Sequence, residues 1–155
     1  MALFLSTFEN KIDSKGRLSV PAPFRATLEA HHAPLYLYKS LLVPCIEGCG
    51  PERINQIVDA IDMMDSLSEE AATLTTMLSS AQEMRIDSEG RISLPADFIE
   101  FANLTQTALF AGIGRSFQIW HPDKFRQRDS AARENAKSKG LPKLTLNRPS
   151  SAGGS

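Results

Sequence analysis

Two Asp–Arg pairs carry the first chemical signal in this chain. Asp13 and Arg17 stand four residues apart, and Asp87 and Arg91 repeat the spacing. A carboxylate can serve as acid, base or nucleophile, but each role needs a partner group, and no such partner recurs beside both pairs. The spacing suits a structural task better. Asp opens a tight turn by accepting backbone N–H groups, and glycine fits the fourth position, where φ is often positive. Asp13 with Gly16 and Asp87 with Gly90 are therefore expected to form two turns, and no catalytic residue is expected. The side chains thrown outward are Lys15 in one turn and Glu89 in the other, with Arg17 and Arg91 just beyond. Rigid positive tips at a fixed spacing suit a phosphate backbone. Ordinary solvated charges have the same composition, and on the residues alone both readings stand. Glu89 would repel phosphate where Lys15 attracts it, so the two turns should not be equivalent.

Cys45 and Cys49, with His31, His32 and His121, are metal-ligand types. Their spacing departs from the Cys-x-x-Cys knuckles of structural zinc, so two thiols are expected, with no metal and no cofactor. His31-His32 falls at an expected helix end, where the dipole favours a cation. Phe117 and Trp120 flank Gln118 and Ile119 in a strand-like run and read as core rather than as a base-stacking platform.

The elements that position these residues come from a duplication. Lys11–Phe24 and Arg85–Phe98 align over fourteen positions at an offset of 74 residues, and nine are identical. Three more keep their character: Lys11/Arg85, Leu18/Ile92 and Val20/Leu94. Each copy reads as strand, turn, strand, short helix. The run Arg-Leu-Ser-Val or Arg-Ile-Ser-Leu alternates as a half-buried strand does. Proline then ends the strand and opens a helix.

The rest of the chain fits around the copies. Leu35–Tyr38 is β-prone and Leu41–Pro44 follows, which suggests a hairpin. Pro51 opens a helix with an Ile54, Ile57, Val58, Ile61 stripe. Ser68 caps another, with Glu69 and Glu70 in its first turn. After the second copy, Ala108–Ala111 and Phe117–Trp120 are expected strands. In the first copy the equivalent of Phe117–Trp120 is Cys45–Cys49, which is degenerate and lacks the aromatic. Pro122 opens a last helix, ended by Gly140 and Pro142.

The net charge of −1 hides an uneven distribution: residues 51–80 carry six acids against one base, and residues 122–155 carry eight bases against three acids. A DNA-binder of this charge must concentrate its cations or multiply them by oligomerising. The basic helix is either a second DNA contact or a solvated face. The N-terminus lacks the features of a signal peptide, and no apolar run approaches a membrane span, so no membrane association is expected and a cytosolic chain is.

The Asp-x-x-x-Arg pair in a duplicated strand–turn–strand unit resembles the MraZ family of bacterial transcriptional regulators, within the AbrB-like class of swapped-hairpin DNA-binding folds. The match rests on Asp13-Ser14-Lys15-Gly16-Arg17, its second copy and Phe117-Gln118-Ile119-Trp120, and it covers about residues 1 to 135. It implies a mixed α/β fold of two pseudo-symmetric, double-psi-barrel-like units whose strands interleave, plus peripheral helices. The expected organisation is a first DNA-binding repeat over 7–54, a helical linker over 55–80, a second repeat over 81–124, a basic helix over 125–139 and a disordered tail over 140–155. It further implies a nucleoid-associated homo-oligomer, a closed ring, with the helices at 51–82 and the hairpin strands as interface. The implied partner is double-stranded DNA, at short direct repeats in the promoter of the division and cell-wall gene cluster. Lys15, Arg17 and Arg91 become the DNA-binding residues, with no small-molecule substrate. The competing class is an AbrB-like antitoxin or other interaction module. An enzyme on a related barrel would need a buried acid or nucleophile in a pocket.

Overall fold

The computed structural model describes residues 3–30 and 33–145. The expected role of His31-His32 and most of the expected tail, from residue 146, lie outside the described residues. The chain is mixed α/β, with a first unit reaching to Phe125 and a second from Arg126 onward.

Among the described residues the first unit contains eight strands: β1 (Thr7–Lys11), β2 (Arg17–Ser19), β3 (Leu35–Lys39), β4 (Ile46–Cys49), β5 (Gln82–Met84), β6 (Arg91–Ser93), β7 (Thr107–Gly112) and β8 (Phe117–Trp120). Helices α1 (Ala22–Glu29) and α4 (Ala96–Phe101) follow the two turns, and α2 (Pro51–Asp62) and α3 (Glu69–Ser80) lie between the copies. The main sheet is antiparallel, in the order β1-β7-β8-β4-β3-β5. Exchanging each strand with its counterpart in the other copy reverses this order onto itself. The duplication is thus a pseudo-twofold symmetry whose axis passes between β4 and β8.

The two strands flanking each turn do not zip into a hairpin with each other. Among the described residues of the first copy, the Ile12–Leu18 bridge and an Asn10 Nδ2 hydrogen bond to the Ser19 carbonyl at 2.8 Å join them. Strand β1 pairs instead with β7, β5 with β3, and β2 with β6. Every one of these ladders joins one copy to the other.

The aromatic core shows the same exchange. Phe24, from the first copy's helix, meets Phe117 and Phe110 of the second half at ring-centroid distances of 5.0 and 6.2 Å. It also meets Phe4 and Phe8 edge-on at 5.3 and 5.5 Å. Phe24, Phe98, Phe110 and Phe117 have no exposed surface, and Trp120 is buried as its strand position suggested. Truncating such a ring to alanine costs about 3–5 kcal/mol.

Strand β4 pairs with both β3 and β8. It lies at the centre of the sheet, where Gly48 pairs with Phe117. A Cβ on Gly48 would stand 2.3 Å from the Phe117 ring. The bare backbone of Gly48 thus leaves the space that the Phe117 ring of the second copy fills. The segment Leu41–Pro44 is the loop between β3 and β4 rather than a strand.

A second cluster holds Tyr38, Cys49 and Ile57, with Ile54, Ile61, Leu74, Met77 and Leu78 packed against it. Helices α2 and α3 supply it with their apolar stripes, except that Val58, expected in the α2 stripe, is exposed. Ser68 caps α3 as its residue type suggests, its Oγ accepting from Ala71 N–H at 3.1 Å. Burial pushes the Cys49 thiol up to about 12, which removes thiolate reactivity near neutral pH. Cys45 is buried as well.

Helix α5 (Pro122–Lys139) begins in the first unit, where Phe125 packs edge-on against Trp120 at 6.2 Å. In the second unit its surface carries the Asp129–Arg133 and Glu134–Lys137 pairs, at 2.8 and 3.3 Å. Gly140, at φ +74°, closes it by donating to the Ala136 carbonyl.

Candidate nucleic-acid interface

Each turn is a closed hydrogen-bond unit built on its aspartate. Asp13 Oδ1 accepts from the backbone N–H of Lys15 and of Arg17, both at 2.9 Å, and Oδ2 accepts from Arg17 Nε at 2.6 Å. The backbone closes the loop through Gly16 N–H to the Asp13 carbonyl. In the second copy Asp87 Oδ1 accepts from Glu89 and Arg91 N–H, and Oδ2 from Arg91 Nε at 3.1 Å. Gly16 and Gly90 sit at φ +76° and +80°, where an L side chain is strained. Both carboxyls are held below the usual aspartate range, chiefly by the backbone N–H of Arg17 at Asp13 and of Arg91 at Asp87. That is the signature of carboxylates spent on structure.

The two turns belong to one surface because β2 pairs with β6. Leu18 faces Ile92 across the pair and both are buried, so Arg17, Ser19, Arg91 and Ser93 line the opposite face. Arg17 pairs with Ser93 and Arg91 with Ser19, which sets the two arginines diagonally, about 7–8 Å apart at the backbone. The ribbon is closed at both ends by the opposite copy: Val20 N–H donates to the Gly90 carbonyl and Leu94 N–H to the Gly16 carbonyl, each at 2.9 Å. Val20 lies four residue steps beyond Gly16, so the turns lie about 14 Å apart along the ribbon. Neither turn can keep this position without the other copy.

The turns differ electrically. The first has Asp13 against Lys15 and Arg17. In the second, Arg91 is shared between Asp87 and Glu89, with Nη2 3.2 Å from Glu89 Oε2. Arg91 is also less exposed than Arg17, at 26% against 35% of its side chain.

One cation at this surface escapes a reading of the repeat. Arg25 of α1 lies across the second turn: a Cβ on Gly90 would stand 2.7 Å from its guanidinium. Its Nε donates to the Val20 carbonyl at 3.1 Å. The matching position in the second copy is Ile99, which lies over Gly16 instead. The signal was present in the alignment, one residue past the repeated stretch, as a cation facing an apolar residue at the 74-residue offset.

Fold and site together define a chain-internal pseudo-dimer that displays two aspartate-locked turns on one ribbon. Comparison with known proteins places it more closely. Residues 77–145 match a family model described as "MraZ protein, putative antitoxin-like". The chain is 39% identical to the transcriptional regulator MraZ of Gluconobacter oxydans over 157 residues, covering 98% of this chain and 93% of that one. It is 40% identical to the namesake from Pelagibacter ubique, over 86% and 88% of the two chains. The Rhodospirillum rubrum relative is 39% identical, over 79% and 81%. The chain belongs to the MraZ family.

Proposed function

We propose that this protein is a cytoplasmic, nucleoid-associated transcriptional regulator, without catalytic activity, that binds double-stranded DNA through the paired turns. The observation that carries the reading is the ribbon: Arg17 and Arg91 on one solvent face, at fixed diagonal spacing, with Lys15 at one tip. A two-stranded ribbon is narrow enough for the major groove, and arginines set by rigid turns can fix its register on the phosphates. The repeats proposed over 7–54 and 81–124 act as one element, since each turn is held by the other copy.

A single ribbon carries few cations, so the reading includes a homo-oligomeric ring that engages short direct repeats by avidity. Its targets are the direct repeats upstream of the division and cell-wall gene cluster, the protein's own gene included. Strands β3 and β4 are buried within the chain. The ring contacts therefore fall to exposed apolar residues beside them: Val58, Met63 and Leu67 around the linking helices, and Leu42 in the β3–β4 loop.

The test is the salt dependence of binding to the protein's own upstream region. Each phosphate neutralised contributes about −0.9 to the slope of log K against log salt, so several engaged subunits give a slope on the order of −5 or steeper. Arg17→Ala should flatten it by about one unit per subunit on the DNA. A salt-insensitive complex, or an unchanged slope in the variant, rules out the turns as the contact. The antitoxin-like description of the matched family supports a second reading, capture of a toxin protein, and that contact would not inherit the slope.

A further inference from the structure

We infer that Arg25 is a DNA-contacting residue, the phosphate-binding cation of the second turn; this rests on the ribbon reading above. The second turn has a charge problem of its own. Asp87 and Glu89 outnumber Arg91, and Arg91 is committed to both of them. A turn so composed repels phosphate, yet it sits on the same ribbon as the positive first turn.

Arg25 reverses this balance from outside the repeat. Its guanidinium lies directly against the backbone of Gly90, the one residue of the turn with no side chain to displace it. The Val20 carbonyl holds Nε, and Val20 itself is pinned to Gly90 through its N–H, so the guanidinium and the turn are registered to each other by two consecutive bonds. Among the described residues Arg25 pairs with no carboxylate, whereas Arg17 pairs with Asp13 and Arg91 with two acids. Only Nε is spent, and the side chain is half-buried, so the terminal nitrogens remain as donors on a pre-oriented fork. At the first turn Lys15 provides a cation from the tip and Ile99 occupies the flank. At the second, Glu89 occupies the tip and Arg25 provides the cation from the flank. The ribbon thereby presents one unshared cation at each end, reached by different routes.

The experiment uses the full-length protein and a fluorescein-labelled duplex from its own upstream region, by anisotropy over a salt series, with Arg25→Gln, Arg25→Lys and Arg17→Ala. Glutamine can still donate to the Val20 carbonyl, so loss of the fold is not built into the variant, and a thermal melt verifies it. Losing one phosphate contact should flatten the slope by about 0.9 for each engaged subunit, which at 0.1 M salt is about an eightfold loss per subunit. Arg25→Gln should show that loss and Arg25→Lys should keep the slope. A weaker complex with unchanged slope, not restored by lysine, assigns Arg25 to holding the turn and overturns the inference. If Arg17→Ala flattens the slope and Arg25→Gln does not, the inference fails and the ribbon reading stands. If neither variant changes it, both fail.

Discussion

Gly48→Ala tests the seam between the two copies, where Gly48 faces Phe117. The added methyl carbon would lie 2.3, 2.5 and 2.9 Å from three carbons of the Phe117 ring, where ordinary contact begins near 3.4 Å. The ring must retreat by about 1 Å, a shift that close-packed interiors resist. Its neighbours leave no room: Phe4, Phe24 and Phe110 surround it at centroid distances of 5.2, 5.0 and 5.8 Å, and it has no exposed surface. Overpacking of this kind costs about 1–3 kcal/mol, and the missing room puts it at the top of that range. Replacing glycine within a strand returns about 0.5–1 kcal/mol. The net loss is about 2 kcal/mol, or about 4–8 °C in Tm for a chain of this size. Thermal melts at fixed protein concentration measure it. Phe117→Leu should be less costly in the Gly48→Ala background than in the parent chain, because the smaller side chain removes the clash. A Gly48→Ala protein as stable as the parent, or additive losses in the double variant, refutes this account of the seam.

Three further outcomes follow from the site. Lys15→Ala should weaken promoter binding with the fold intact, while Glu89→Gln should leave it equal or tighter, because it removes an acid that occupies Arg91; anisotropy on one fragment compares them. The depressed carboxyls of Asp13 and Asp87 bind protons more weakly folded than unfolded, so their contribution to stability is present above the unfolded value of 3.8 and is lost as pH falls below it through the lower folded values. Melts between pH 5 and pH 2 should therefore drop less steeply when both are asparagine, and parallel curves count against the turns as the acid-labile element. Light scattering at micromolar concentration should give several times the 17.0 kDa chain mass, and a clean monomer removes the ring from the functional reading.

The local elements were legible because their causes are local. Asp13, Gly16, Asp87 and Gly90 form turns from hydrogen bonds spanning at most four residues, and that chemistry is written in residue type and spacing. Pro51, Ser68 and Pro122 start helices for the same reason, and the alternation around Leu18 and Ile92 marks a strand with one buried face. The 74-residue duplication also meant that whatever one copy builds, the other builds in parallel.

Which strand pairs with which was decided by the tertiary structure alone. A strand's pattern names its buried face but not its neighbour, and here the ladders of β1, β2 and β5 all run to the opposite copy. Gly48 has a meaning only once the sheet places it under Phe117, since a void counts only beside the group that fills it. Arg25 is the same case in the site. In the sequence it merely follows the repeated stretch of its own copy, while strand exchange carries its helix across to the other copy's turn. Periodicity and turn chemistry act within a few residues, and the charge of the second turn is set by a residue 65 positions away from Gly90.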